Sequence, residues 1–233
     1  MGGSDQSGAG DGFEYHDHES DVRADGDYEK KRSLHAAQRD TQRVEQAREA
    51  YTIELGSISA EQFVFVDESG CYLNMTRTYG WSNRGERAQG VIPFLYGEHV
   101  SMIGSVALSG KTSLMNIEGT VNGEVFLAYV RSCLRPTLEE GQIVNMDNNS
   151  IHKVKGIEEE IKNAGCRLRF LPPYSPDFNP IEFMWSKLKE YLRSKAARTL
   201  RTLNSAIAEG LKRVTTQDIS GWLAGCGCSY QLI

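Results

Sequence analysis

Apolar and polar positions along the chain alternate between two periods. Phe63-Val64-Phe65-Val66 is a short, β-rich apolar run followed by Asp67-Glu68-Ser69-Gly70, a turn signal. Cys71 to Thr78 alternates loosely and is expected to pair back on it as a hairpin. Val100 to Leu108 and Ser113 to Glu118 flank Ser109-Gly110-Lys111 and predict a second hairpin. Helical spacing takes over at Val125, Phe126, Tyr129, Val130 and Leu134, as it does earlier at Ala36, Val44, Ala47 and Tyr51. Ile143 to Met146 has the look of a buried strand and ends in an acid, Asp147. A helix over about 153–164, stopped by Gly165, and a strand over 167–171 follow. Pro172-Pro173-Tyr174-Ser175-Pro176 interrupts the pattern. Asn179-Pro180-Ile181-Glu182 then reads as a helix start, with an N-cap, a proline at the first helical position and an acid at the third. Helices over about 200–213 and 217–224 close the chain. The pattern predicts an α/β fold: a mixed five-stranded sheet, antiparallel first and parallel later, with helices on both faces.

Composition sharpens this picture in three places. Hydrophobic residues are 39% and charged residues 24% of 233, which fits one globular domain with a real core. No apolar run approaches the length of a membrane span, so no membrane partner is expected. Five cysteines without a CxxC pair argue against a disulfide framework and a structural zinc site, and for a cytoplasmic protein. Charge is divided unevenly. Residues 1–27 contain six glycines, eight acids and one base, read as a disordered acidic segment; they hold −7 of a net −5, leaving the rest at +2. Residues 28–60 read as a helical lead-in and 61–233 as the main domain. Eight bases against two acids over 183–213 form a stripe that suits either a solvated helix face or a phosphate backbone.

Three acids stand out by position. Asp67 and Asp147 each close a strand, and a strand–helix–strand crossover makes those strands parallel neighbours, with both carboxylates at one sheet edge. Glu182 starts a helix reached directly from the sheet. Such a cluster repels itself unless a cation is shared, and oxygen ligands favour hard ions such as Mg²⁺. Each acid also has a structural reading: Asp67 and Asp147 as turn caps, Glu182 as the partner of Asn179 in a capping box. On the helix wheel Lys189 and Arg193 lie about 20° to either side of Glu182. They are candidates to grip a phosphate near the acids. Ile181, Met184, Trp185, Leu188 and Leu192 cover the core side.

Three stretches, FVFVDESG (63–70), VNMDNNSIHK (144–153) and LPPYSPDFNPIEFMWSKLK (171–189), together resemble the catalytic core of a DDE transposase. The likeness is to the bacterial insertion-sequence branch of the mariner-like superfamily, and 34 residues separate Asp147 from Glu182, as that superfamily's second and third acids are spaced. The resemblance implies a ribonuclease-H-like, retroviral-integrase-like domain. Asp67, Asp147 and Glu182 would be its catalytic, metal-binding triad, serving two Mg²⁺ ions that Mn²⁺ can replace. Asn148 and His152 match positions beside the second acid, where they would orient ligands or contact DNA; a structural role for His152 is an equal reading. The implied activity is hydrolysis at transposon ends and transfer of the freed 3′ hydroxyl into target DNA at TA. DNA and a homo-oligomer, expected as a dimer, would be the partners, in a nucleoid-associated setting.

One departure stands out. Members carry helix-turn-helix modules ahead of this core, and here the acidic segment stands in that place; it reads as an appended scar, as another reading frame, or as the remnant of a split element whose DNA-binding module is separately encoded. The competing readings are an inactive or regulatory fragment that oligomerises with a full-length partner, and another nuclease built on the same sheet, such as a ribonuclease H.

Overall fold

A computed structural model of the protein describes residues 36–94 and 99–228. The acidic segment 1–27 lies outside the described residues. The five strands are β1 (Phe63–Tyr72), β2 (His99–Ala107), β3 (Leu114–Glu118), β4 (Ile143–Met146) and β5 (Arg167–Phe170), in the order β3-β2-β1-β4-β5. β3, β2 and β1 are antiparallel to one another; β1, β4 and β5 run parallel. Helices α1 (Gln42–Ser57), α4 (Ile181–Lys195), α5 (Leu200–Leu211) and α6 (Thr216–Gly225) cover one face of the sheet. Helices α2 (Gly123–Tyr129) and α3 (Ile157–Asn163) cover the other. No helix among the described residues is long and apolar enough to cross a membrane. All five cysteines are free thiols.

Side-chain alternation along β1 decides which residues meet which layer. Phe63, Phe65 and Cys71 join the core under α4, whereas Val64 and Val66 join the core under α2 and α3. The same alternation sends Asp67 toward the α4 side and Glu68 toward the α2 side. α4 buries Ile181, Met184, Trp185, Leu188 and Leu192, the stripe expected from its period, each contributing about 2 kcal/mol. Its close approach to the sheet depends on Gly104 of β2, opposite Asp67 in the ladder. A Cβ at 104 would lie 2.8 Å from the indole ring of Trp185.

The structure corrects the sequence reading at three points. Asp67-Glu68-Ser69-Gly70 is no turn: β1 runs straight through it, paired residue by residue with β2 from Val64↔Ala107 to Tyr72↔His99. A ladder of that length outweighs a local turn preference, and Gly70 does not adopt the positive φ that would mark a turn. There is consequently no separate strand over 71–78, and the sheet of the described residues has five strands. At the start of α4 the capping box does not form; Pro180 takes the N-cap position and no side chain caps the helix. Asn179 has another partner, described below. The helix expected over 153–164 is shorter, because Gly156 at φ 101° separates a 3₁₀ turn (Ser150–Lys153) from α3.

Candidate active site

β1 and β4 pair only over Phe63–Phe65 and Ile143–Asn145. Beyond that point the strands part, and the extended register sets Asp67 level with Asp147, one residue past the end of β4. Asp67 therefore lies two residues past the parallel pairing, still within β1. Glu182, in the first turn of α4, completes the set. All three acids line one cavity of about 550 Å³, together with Asn148, Asn179 and the Leu171–Pro176 loop. Openings of this kind, at the carboxyl ends of parallel strands, are where α/β sheets place their ligands.

Two of the cavity's acids sit in opposite electrostatic surroundings. Burial and then the neighbouring charge of Glu182 push the Asp67 carboxyl up to about 7, with Glu68 and Asp147 adding to the rise and the Glu68 backbone N–H opposing it. Asp147 behaves in the opposite way. Burial would raise it, yet His152 and the backbone N–H of Asn149 hold it below its ordinary value. His152 is fully buried against Phe126, ring centroids 4.4 Å apart. Its Nδ1 lies 2.7 Å from Asp147 Oδ1 and its Nε2 2.8 Å from Glu68 Oε1. Burial disfavours an imidazolium, but the two carboxylates outweigh it and raise the group to about 10. His152 is thus a charged brace between β1 and the loop after β4, and it cannot touch DNA. Glu68, the other end of the brace, escaped the sequence reading because a residue assigned to a turn has no assigned face.

Asn179 is the second residue the pattern misassigned. Its Nδ2 donates to Asp67 Oδ2 at 3.4 Å, and its Oδ1 is buried with no hydrogen-bond partner. An orphaned carbonyl oxygen beside a buried carboxylate fits a hard cation. Three acids, one amide oxygen and no thiolate form a donor set suited to Mg²⁺ or Mn²⁺. Among the described residues no three His, Cys, Asp or Glu side chains close on a single point. Mg²⁺ does not require that, since it binds through one or two carboxylates and keeps its waters and substrate oxygens.

The loop bearing Asn179 is anchored from α1. Arg48 Nη2 donates to Asp177 Oδ2 at 2.6 Å, Arg48 Nη1 to Ser175 Oγ at 2.6 Å, and the guanidinium lies 4.4 Å from the Phe178 ring centroid. Asn148 is exposed at the cavity wall, as its candidate role requires. Lys189 and Arg193 share the Glu182 face of α4 but do not line the cavity. They lie about 10 and 16 Å further along the helix axis, too far to grip a phosphate at the acids themselves. The basic stripe is partly consumed by the fold. Lys187 pairs with Asp218 at 2.5 Å, Lys195 with Glu209 at 3.4 Å, and Arg198 donates to the carbonyls of Leu73 and Met75.

Comparisons with known proteins bear on the family and the fold. Residues 62–204, more than half of the chain, match the DDE superfamily endonuclease family. No curated protein matches the sequence. Among solved structures, the Mos1 transposase paired-end complex with left transposon end is similar at TM-score 0.69 and 16% identity, over 85% of this chain and 63% of that one. The catalytic domain of Mos1 mariner transposase is similar at TM-score 0.60 and 13% identity, over 84% of this chain and 93% of that one. The mariner Mos1 paired end complex with Mg gives TM-score 0.65 at 15% identity, over 87% and 67%. At such identities the likeness is one of fold, here the ribonuclease-H-like one. The chain spans less than two thirds of the first of these relatives.

Proposed function

We propose that this chain, which belongs to the DDE superfamily of endonucleases, is the catalytic core of a transposase, with Asp67, Asp147 and Glu182 as its acidic triad. The observation that carries the proposal is the meeting of three carboxylates from β1, the end of β4 and the start of α4 in one cavity, with Asp67 pushed up to about 7 by burial and then by the charge of Glu182. Such a site is unfavourable without a cation, and oxygen-only donors suit two Mg²⁺ or Mn²⁺ ions. Divalent cations, when bound there, would activate an attacking oxygen and stabilise the leaving oxygen on phosphorus.

The chain's own residues do the positioning. His152 and Glu68 fix Asp147 from beneath the sheet, Asn179 orients Asp67, and Gly104 admits the helix that presents Glu182. In the first reaction a water oxygen bonds to phosphorus at a transposon end, the P–O3′ bond breaks, and a 3′ hydroxyl and a 5′ phosphate result. In the second that 3′ hydroxyl attacks a target phosphodiester, expected at TA, joining the strands and releasing a target 3′ hydroxyl. Neither reaction needs a covalent enzyme intermediate; orientation and charge neutralisation lower the barriers. Lys189 and Arg193, further along α4, would hold duplex DNA some distance from the scissile bond. A homodimer belongs to the same reading.

Nicking of supercoiled plasmid in Mg²⁺ or Mn²⁺ tests it, with Asp147→Asn as control. Metal-dependent nicking that vanishes in the variant is the expected result. Equal inertness of both proteins over a wide salt range would refute it and favour a regulatory fragment acting through a full-length partner.

A further inference from the structure

Helix α1 precedes the residues that match the family, yet it supplies a side chain to the cavity. Arg43, in its first turn, lines the cavity with Asp67, Asp147 and Glu182. It is the one cationic residue lining that cavity among the described residues. The helix carrying it is tied to the sheet at several places. Tyr51 Oη donates to Asn145 Oδ1 of β4 at 3.1 Å, Glu54 pairs with Arg169 of β5, and Val44, Tyr51 and Leu55 are buried. Arg48 is bonded to Ser175 and Asp177 on the loop that leads to Glu182. The backbone of Arg43 is therefore held in a fixed relation to both the sheet acids and the helix acid. Its side chain is exposed and reaches the cavity from a fixed base.

A guanidinium at the mouth of a cluster of carboxylates has two possible employments. It can neutralise the acids, which makes it a structural counter-ion. It can also bind an anion that the acids, once loaded with divalent cations, attract. Direct neutralisation is a poor account of the geometry: among the described residues Arg43 lines the cavity without forming an ion pair with Asp67, Asp147 or Glu182. The planar fork of a guanidinium matches two non-bridging oxygens of a phosphodiester.

We propose that Arg43 binds the phosphodiester presented to the acidic triad, so that α1 is part of the active centre and not only a connection to it. The inference rests on the reading of the cavity as a nuclease centre. Its ligand class is the nucleic-acid phosphate backbone, contacted without regard to base sequence.

The test uses the full chain and three proteins: wild type, Arg43→Gln and Arg43→Lys. The probe for binding is a fluorescein-labelled 30-bp duplex in Ca²⁺, followed by anisotropy as KCl is varied. Arg43→Gln is expected to bind about tenfold more weakly, with the slope of log affinity against log salt shallower by about 0.9. Arg43→Lys should keep the salt slope and recover only part of the affinity, since it keeps the charge and loses the fork. Plasmid nicking in Mn²⁺ should fall in Arg43→Gln, while the melting temperature and its increase on adding Mg²⁺ stay at wild-type values. If wild type binds and nicks and Arg43→Gln does both equally well, the assignment of Arg43 is overturned and the nuclease centre stands. A changed melting temperature with unchanged binding also overturns it, in favour of a counter-ion role. If wild type neither binds the duplex nor nicks, both readings fall.

Discussion

Replacing Asp67 by Asn should stabilise the metal-free protein while abolishing its response to metal. The carboxyl is lifted from 3.8 to about 7 by burial and by the charges of Glu182, Glu68 and Asp147. Holding it ionised at pH 8 therefore costs about 4 kcal/mol, at about 1.36 kcal/mol per pKa unit. Water reaching the open cavity screens part of this, leaving about 2 kcal/mol to be gained by a neutral side chain of the same shape. For a domain of this size that corresponds to roughly 4–8 °C in Tm. Asn also keeps an oxygen to accept from Asn179 Nδ2. The sign follows from linkage: a folded-state pKa above the unfolded value gives stability that is complete below pH 3.8 and is lost as pH rises through 7. Scanning calorimetry at pH 5 and pH 8 in EDTA, then in Mg²⁺, separates the contributions. A higher Tm for Asp67→Asn by a margin that is smaller at pH 5 than at pH 8, and a Mg²⁺-induced increase confined to wild type, are expected. A variant that melts at or below wild type at pH 8 by the same margin as at pH 5 would refute the electrostatic account of the site.

Three further outcomes are expected. His152→Ala leaves Glu68 and Asp147 facing each other without their shared cation and should cost about 3–5 kcal/mol in urea unfolding. Because His152 is raised to about 10, its contribution is complete below pH 6.5 and lost as pH rises through 10; wild type should weaken over that window and His152→Gln should not. Gly104→Ala should cost about 1–3 kcal/mol and reduce nicking with duplex affinity retained, because the new methyl displaces Trp185 and with it the helix bearing Glu182. Arg48→Ala should cost only about 1 kcal/mol, its partner Asp177 being 44% exposed, yet reduce nicking severalfold. A double-mutant cycle with Asp177→Asn should assign most of that loss to the pair.

What the sequence disclosed and what it concealed divide along a physical line. The buried stripe of α4 was legible down to its five residues, because a 3.6-residue period is a local property. The juxtaposition of Asp67 and Asp147 was legible as well, since a crossover between parallel strands constrains which ends are neighbours. Glu68, Ser69 and Gly70 were misread because their turn preference is local whereas the ladder to β2, some thirty residues on, is not. Once Glu68 was lost to a turn, its bond to His152 on the far side of the sheet could not be foreseen. Asn179 fits the pattern of an N-cap, and only the proximity of Asp67 reveals why its side chain turns away from the helix. The packing of α1 on the loop before Glu182 joins residues about 130 positions apart, as Arg48 and Asp177 do, and left no signal in either segment alone.

The contact between Gly104 and Trp185 has an evolutionary consequence. The tightest restriction on position 104 comes from the indole at 185, with Leu114 Cδ1 and the Ser113 carbonyl, each 3.3 Å from a Cβ there, adding to it; the worst clash belongs to the pair and not to the glycine. A lineage that first exchanged Trp185 for a smaller apolar residue, at a cost in core packing, could afterwards accept Ala at 104 and recover part of the loss. The reverse order passes through a displaced helix and a weakened active centre. Substitution histories at these two positions should therefore be directional, with change at 185 preceding change at 104, although neither residue touches substrate.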